Sequence, residues 1–285
     1  MALSSLAQRV TTVAVLVPLV LAALFMLPPR GWAIATLAVI ALAAYEWSKL
    51  VGYGPQQSLA LVSGVLLHAI YLLFSDAMGF SSGWPANVVL AVCAVATAFW
   101  CVVVPVWLRS QWRPTSWLPT ALAGWIALVG AWVAIVELQA RSPWLVLAAM
   151  AVVWVADTAA YFTGRKLGRR KLAPSISPNK SWEGVYGGLG AVAVYAIVLT
   201  AFASQAGYSG PRTLLAAVAF VAFVTLLGAV SVLGDLYESM LKRQARVKDS
   251  GTLLPGHGGV LDRIDALLSA MPPAAIAATL MLAKA

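Results

Sequence analysis

The sequence has few charged residues, few cysteines and few histidines. Charged residues make up 10% of the 285 positions, whereas about a quarter of a soluble domain is charged. The two cysteines, Cys93 and Cys101, would lie about 12 Å apart on one helix, which is too far for a disulfide bond. Neither of the two histidines has neighbours spaced like zinc ligands. These shortages argue against a soluble enzyme, a disulfide-stabilised secreted domain and a zinc protein.

Apolar residues dominate instead, at 61% of the chain, with a mean hydropathy of +0.87. Successive apolar runs approach the ~20 residues that a helix needs to cross a bilayer. We therefore predict an all-α, polytopic integral membrane helical protein with about nine transmembrane helices in one membrane-embedded domain. The first run resembles a signal peptide, but it is too long and lacks a cleavage pattern, so we expect it to be retained. The predicted spans are 10–27, 32–45, 59–74, 88–108, 118–138, 144–162, 185–206, 213–233 and 266–283.

Lysine and arginine are distributed unevenly between the loops on the two predicted membrane faces. With the N-terminus inside, fifteen of the 19 basic residues lie on the inner side, and the outer ones are Arg30, Arg141, Arg212 and Lys284. Basic loops favour the cytoplasmic face, so we predict a cytoplasmic N-terminus and a location in the cell inner (cytoplasmic) membrane. The net charge of +9 is then a topology signal, and we expect no nucleic-acid partner.

Two charged segments on the predicted cytoplasmic side interrupt the apolar C-terminal half. They cover 163–184 and 235–265. We predict an N-terminal transmembrane scaffold region over 1–140 and a catalytic transmembrane region over 141–285 that carries both segments as loops. Such dense polar sequence between apolar runs is where we expect the chemistry.

The second charged segment places carboxylates at the inner ends of two spans. Asp235 follows the eighth span, while Asp262 and Asp265 precede the ninth and share one helical face because they are three residues apart. Carboxylates gathered at one depth repel each other unless a cation or a basic side chain lies between them. Their oxygens suit Mg²⁺, which fills its remaining positions with water and substrate phosphates.

The same segment contains features of a phosphate site. Lys242, Arg243 and Lys248 could neutralise phosphoryl oxygens, and the glycines 256, 258 and 259 would let backbone N–H groups and the start of the ninth span face an anion. No Walker A sequence is present. Simpler interpretations stay open, namely basic loops as topology signals or lipid contacts, an Asp–Arg pair, and His257 as a turn residue.

Two motifs carry a family resemblance. One reads Ser239-x-x-Lys242-Arg243, then Lys248-Asp249-x-Gly251, then Pro255-Gly256-His257-Gly258-Gly259-x-x-Asp262-Arg263-x-Asp265. The other reads Asp157-Thr-Ala-Ala-Tyr161 through Gly164, Gly168 and Ile176-Ser-Pro-Asn-Lys180-Ser-Trp-Glu183-Gly184. Together they resemble the motifs of phosphatidate cytidylyltransferases, also called CDP-diacylglycerol synthases. The likeness extends over the whole chain in length and span pattern.

The resemblance implies condensation of CTP with phosphatidate to CDP-diacylglycerol and pyrophosphate, dependent on Mg²⁺ and with room for a second cation. It implies that Asp235 and Asp262 are the metal ligands. The residues assigned to catalysis are Asp235, Asp249, Asp262, Asp265, Lys242 and Lys248. Those assigned to substrate binding are Arg243, His257, Gly258, Gly259, Arg263, Asp157, Lys180 and Glu183.

Two departures from the family pattern and two rival functions accompany this interpretation. Ala266 stands where the family commonly has serine, and Pro272–Pro273 is expected to break or kink the last span. The rivals are a CTP-dependent kinase of a polyprenol or phytol and an ion-coupled transporter. The closely spaced glycines at 184–190 predict tight helix packing and make a homodimer plausible.

Overall fold

The computed structural model describes residues 5–81, 83–205 and 213–282. Within these residues, long helices occupy all nine predicted spans, which confirms the all-α class. Their bounds are α1 Ser5–Met26, α2 Pro29–Leu50, α3 Pro55–Phe74, α4 Ala86–Ala98 continued by α5 Val104–Ser110, α6 Leu118–Arg141, α7 Pro143–Leu167, α8 Trp182–Gln205, α9 Leu214–Ala245 and α10 Leu261–Leu282.

The described helices have the length and surface of membrane spans. Eight are long and apolar enough to cross a bilayer, and the apolar part of α1, Val10–Met26, is slightly shorter. Large apolar side chains such as Val106, Phe162 and Val194 are more than half exposed on the outside of the bundle. Such a surface is stable against lipid rather than water. The protein is a multi-pass membrane protein.

Helix α6 forms the centre of the bundle, and α2, α4 and α10 pack against it. Small residues permit this packing, because a Cβ on Gly124 would collide with the indole of Trp47 and one on Gly130 would collide with Ala96. The Trp47 indole N–H donates to the Thr120 carbonyl at 3.1 Å. The C-terminal end of α2 is therefore fixed against α6.

Two proline-containing stretches behave differently. Between α4 and α5 the helix widens into the π-helical turn Phe99–Val103, just before Pro105, because a proline cannot continue regular helix hydrogen bonding. Helix α10, by contrast, runs through both Pro272 and Pro273. The expected break is therefore wrong, while the alternative expectation, a kink, stays a prediction. Packing of α10 between α6 and α9 offsets the hydrogen bonds that the prolines remove.

Helices α7 and α8 form the most extensive helix pair of the described chain. A Cβ on Gly184 would come 2.9 Å from the Ala160 carbonyl oxygen, and one on Gly188 would come 2.8 Å from that of Ala156. The glycine spacing is thus confirmed as a helix-packing signal. Because these glycines pack within one chain, they give no support to a homodimer, which stays a prediction.

Both charged segments are more regular than loops. The first contains an antiparallel hairpin, β1 Lys171–Ala173 and β2 Ser177–Ser181, which the sequence-based prediction lacks. The second is shortened, because α9 continues to Ala245 and α10 begins at Leu261. Its non-helical part covers only 246–260.

The connections predicted on the cytoplasmic side lie together at one end of the bundle. Gln244 on α9 donates to the Trp112 carbonyl of the α5–α6 connection at 3.3 Å, and Arg243 donates to the Ile176 carbonyl of the hairpin at 3.1 Å. At the opposite end, Arg141 pairs with Glu137 at 2.8 Å. This grouping agrees with the predicted alternation of loops, while the assignment of one end to the cytoplasm stays a prediction.

Candidate active site

The charged groups come together where α9 ends and α10 begins. Gly234 lets the two helices touch, because a Cβ there would collide with the Asp265 carbonyl and reach the Ser269 hydroxyl. The hairpin covers the same end of α9. Two carboxylates of α9 and two of α10 are therefore close enough to interact electrostatically: Asp235, Glu238, Asp262 and Asp265.

Asp235 joins the two charged segments. Its Oδ2 accepts from Lys180 Nζ of β2 at 2.5 Å, and its Oδ1 accepts from Ser239 Oγ at 3.2 Å. Asp157 on α7 lies within electrostatic range of both Lys180 and Asp235. The side chains of Lys180 and Asp235 are each 26% exposed, so a ligand at this end of the bundle can reach the pair. Three residues predicted from distant parts of the sequence, Asp157, Lys180 and Asp235, thus converge.

Lys242 lies between two nearly buried carboxylates. Its Nζ is 2.5 Å from Glu238 Oε2 and 2.6 Å from Asp262 Oδ1. The side chains of Glu238 and Asp262 are only 3% and 4% exposed, so they would repel each other strongly without the ammonium group. The ammonium group has three N–H donors, so one remains beside these two partners, and the Lys242 side chain is 16% exposed.

The second oxygen of Asp262 is held by the loop that precedes α10. Oδ2 accepts from the backbone N–H groups of Ser250 and Gly259, both at 2.8 Å, and from Ser250 Oγ at 2.9 Å. These bonds lie within twelve residues of sequence and close the loop on the first turn of α10. The orientation of Asp262 therefore depends on the conformation of this loop.

Glu46 of α2 reaches the same loop. It accepts from the backbone N–H groups of Val260 and Leu261 at 3.1 and 2.8 Å, and its Oε2 lies 3.0 Å from Ser250 Oγ. Carboxylates of the protein itself therefore occupy the first N–H groups of α10, where they also balance the helix dipole. The expectation that the Gly259 N–H and this helix start face an external anion is corrected accordingly.

The Pro-Gly-His-Gly sequence forms a tight turn. The His257 N–H donates to the Leu254 carbonyl at 2.8 Å, with Pro255 and Gly256 (φ +74°) between them, as in a type II turn. Gly258 follows at φ +81°, and a Cβ there would come 2.8 Å from Asp262 Oδ2. His257 Nδ1 lies 3.4 Å from the Pro255 carbonyl, so the ring has a partner within the turn.

The remaining predicted residues lie at the rim. Arg243 holds the hairpin, as described above, and Glu183 accepts from the backbone N–H groups of Arg169 and Arg170 at 3.0 and 3.1 Å. Glu183 thereby fixes the turn that leads into β1. Three further side chains are exposed at this end of the bundle: Lys248, Asp249 and Arg263.

The two carboxylates predicted as metal ligands differ in how freely they could bind a cation. Within the residues that the structure describes, no three Asp, Glu, His or Cys side chains form a complete metal site. Asp235 is partly exposed, and a cation could bind its carboxylate by displacing the ammonium group of Lys180. Asp262 has both oxygens bonded within the chain and could ligate through Oδ1 once Lys242 moves aside. Mg²⁺, which commonly uses one or two carboxylates together with water and phosphates, is compatible with this donor set.

Comparison with known proteins gives this site a family context. The Cytidylyltransferase family model matches residues 7–281. The chain belongs to this family. A phosphatidate cytidylyltransferase of Pseudomonas aeruginosa is 38% identical over 281 residues, which is 94% of each chain. One of Haemophilus influenzae is 35% identical over 94% of this chain and 96% of its own, and one of Bacillus subtilis is 49% identical over 125 residues, 44% of this chain and 43% of its own.

This cytidylyltransferase also contains site residues that sequence reasoning missed. Glu46 and Ser250 hold the loop around Asp262, yet neither was among the predicted site residues. A signal for Glu46 existed, because an acidic residue at the end of an apolar span rarely lacks a partner. Glu238 was recognisable from its spacing of four residues to Lys242, which places the two side chains on one helical face.

Proposed function

We propose that this member of the cytidylyltransferase family is a phosphatidate cytidylyltransferase, which condenses CTP with phosphatidate to CDP-diacylglycerol and pyrophosphate. The observation that carries the proposal is that two relatives of that name match 94% of this chain. The lysine–carboxylate pairs at one end of the bundle support it, because both substrates are anionic. Transmembrane helices suit a lipid substrate and a lipid product.

In the proposed reaction, a phosphate oxygen of phosphatidate attacks the α-phosphorus of CTP. A new P–O bond forms, the bond from the α-phosphorus to the bridging oxygen of the β-phosphate breaks, and pyrophosphate leaves with that electron pair. The attacking oxygen is already ionised near neutral pH, so no side chain has to remove a proton. The main obstacle is repulsion between two anions, which positioning and charge neutralisation lower.

Lys180 and Lys242 are the cations best placed to bind phosphate oxygens. Each already pairs with a carboxylate, at 2.5 Å from Asp235 and 2.6 Å from Asp262 respectively, so its position is fixed before a substrate arrives. We propose that substrate phosphates take over one bond of each lysine. Exposed Lys248 and Arg263 would contact the more distant phosphates of CTP.

Asp235 and Asp262 would hold Mg²⁺, as the family resemblance implies. When bound, the ion would add positive charge next to the phosphate oxygens. The chain itself holds the two carboxylates in place, Asp235 through the close approach of α9 and α10 at Gly234, and Asp262 through the N–H groups of the preceding loop. Asp265 and Asp249 would support them from neighbouring positions.

We also propose that the site faces the cytoplasm in the inner membrane. The uneven distribution of lysine and arginine supports this orientation, and CTP is a water-soluble substrate. Phosphatidate would enter from the lipid side between the hairpin and the exposed aromatic residues Phe162 on α7 and Tyr186 on α8. Its acyl chains would remain against the apolar helix surfaces.

The proposal is tested by release of pyrophosphate from CTP by the purified protein with phosphatidate and Mg²⁺. We expect release only when all three are present, and a loss of at least about a hundredfold in kcat for Asp235→Asn and Asp262→Asn. Asp76→Asn, an exposed acid at the opposite end of the bundle, is the matched control and should keep normal turnover. Near-normal turnover of Asp262→Asn at saturating Mg²⁺ would remove its assigned metal role. CDP in place of pyrophosphate would indicate the lipid kinase instead.

A further inference from the structure

Among the described residues of the N-terminal region, Glu46 is the one acid that contacts the candidate active site. It lies on α2, and the residue is only 3% exposed. Its partners, Ser250, Val260 and Leu261, are more than two hundred positions away in sequence. A buried carboxylate is costly unless hydrogen bonds and charges compensate for the loss of water. Packing of α2 alone would not require a buried carboxylate at this position.

The loop before α10 is built around the Glu46 carboxylate. A Cβ on Gly251 would come 2.8 Å from the carboxyl carbon of Glu46, and one on Gly259 would come 2.7 Å from it. A side chain at either position would therefore displace the Glu46 carboxylate. Together with the two backbone N–H bonds, these contacts hold both ends of the segment 250–261 on a single side chain.

Ser250 transmits this contact to Asp262. The Ser250 hydroxyl oxygen lies 3.0 Å from Glu46 Oε2 and 2.9 Å from Asp262 Oδ2. A serine hydroxyl carries one proton, so it donates to one of the two carboxylates at a time. The backbone N–H of Ser250 donates to Asp262 as well, at 2.8 Å. Any movement of Ser250 away from Glu46 therefore changes the bonds that orient Asp262.

We infer that Glu46 is a positioning residue, which acts through Ser250 and the start of α10 to hold Asp262 in the orientation that cytidylyl transfer requires. This inference rests on the proposed function, because Asp262 is assigned to that reaction. It gives α2 a part in the chemistry, although the sequence places α2 in the scaffold region. A purely structural cap of α10 would contribute to folding without affecting turnover, and the experiment separates the two roles.

The experiment compares Glu46→Gln, Ser250→Ala and the double variant with Ile40→Val. Ile40 is a buried residue on the same helix, 4% exposed, and its truncation controls for a general loosening of α2. Hydrogen–deuterium exchange of the peptide that covers 247–262 reports on the loop without any substrate. Thermal stability in detergent and the kcat and KM for CTP and phosphatidate complete the comparison.

We expect Glu46→Gln to speed exchange in 247–262 and to lower kcat by about tenfold or more, with smaller changes in either KM, since a hydrogen bond to a charged group is lost. The double variant should be no slower than the slower single variant, because both act on the same bond network. Ile40→Val should keep the kcat and the exchange pattern of the natural chain.

The inference is overturned if Glu46→Gln lowers the melting temperature but leaves kcat within about twofold, if exchange in the loop is unchanged, or if the kcat effects of Glu46→Gln and Ser250→Ala multiply in the double variant. If the natural chain formed no CDP-diacylglycerol, the proposed function would be wrong. Hydrogen–deuterium exchange of 247–262 would still show whether Glu46 holds the loop.

Discussion

Lys242 is the residue whose charge the candidate site needs most for its stability. Two carboxylates, Glu238 and Asp262, are almost fully enclosed on either side of its ammonium group. Removing one partner from a buried ion pair leaves an uncompensated charge, which costs more than the intact pair contributes. The site is therefore sensitive to substitution of Lys242 even when no substrate is bound.

Lys242→Met should lower the free energy of unfolding by about 3 kcal/mol, because the methionine fills the space but leaves two facing carboxylates without a cation. Thermal unfolding in detergent measures the effect. Lys248→Met, on an exposed residue of the same segment, is the control and should change stability little. Adding Glu238→Gln to Lys242→Met should recover part of the loss, and a double variant as unstable as Lys242→Met alone would contradict the assigned charge balance.

The motifs identified most of the charged residues at this end of the bundle but not their partners. Asp157, Lys180 and Asp235 converge as expected from their predicted places at one membrane face, because helix ends on the same face bring distant segments together. The contact of Glu46 with the loop could not be predicted, since it depends on the packing of α2 against α10. Local sequence patterns do not predict a contact between residues more than two hundred positions apart.

At the scale of elements, the α7–α8 pair holds the hairpin in position over α9. The close approach of the two helices depends on glycines that face α7, while Gly190 on the same helix has no atom within 4 Å of the position its Cβ would occupy. Substitutions at the two kinds of glycine therefore have opposite expected effects.

Gly188→Ala should destabilise the protein by about 1–3 kcal/mol, because the new methyl group would press on the Ala156 carbonyl. Gly190→Ala should be neutral or stabilising by up to about 1 kcal/mol, because alanine favours helix and the space is open. Melting temperatures of the two variants in the same detergent provide the comparison. Equal destabilisation by both would show that the helix pair does not approach as closely as described.

The helices were predictable because successive apolar runs approach the length that crosses a bilayer and end at polar or basic residues. Their ends were not, since α9 continues past the apolar run to Ala245 with charged residues that face other parts of the protein. The short hairpin was missed because its three- and five-residue strands carry no alternating apolar pattern. The passage of α10 through two prolines depends on tertiary packing, which the proline rule does not include.

At the scale of the whole molecule, the fold places partly exposed lysine–carboxylate pairs at one end of a bundle whose outer surface is apolar. This arrangement suits a reaction between a soluble nucleotide and a membrane lipid. The family and the length of the matches support one particular reaction. The lipid kinase differs from it in which phosphorus atom of CTP reaches the lipid, and a transporter would transfer neither.

The decisive measurement is the transfer of label from CTP to lipid, with the purified protein, phosphatidate and Mg²⁺. CTP labelled at the α-phosphorus and CTP labelled at the γ-phosphorus are compared in parallel reactions. We expect label from the α-position in the lipid product and label from the γ-position only in pyrophosphate. Label from the γ-position in lipid would identify phosphoryl transfer by a kinase, and it would contradict cytidylyl transfer to phosphatidate.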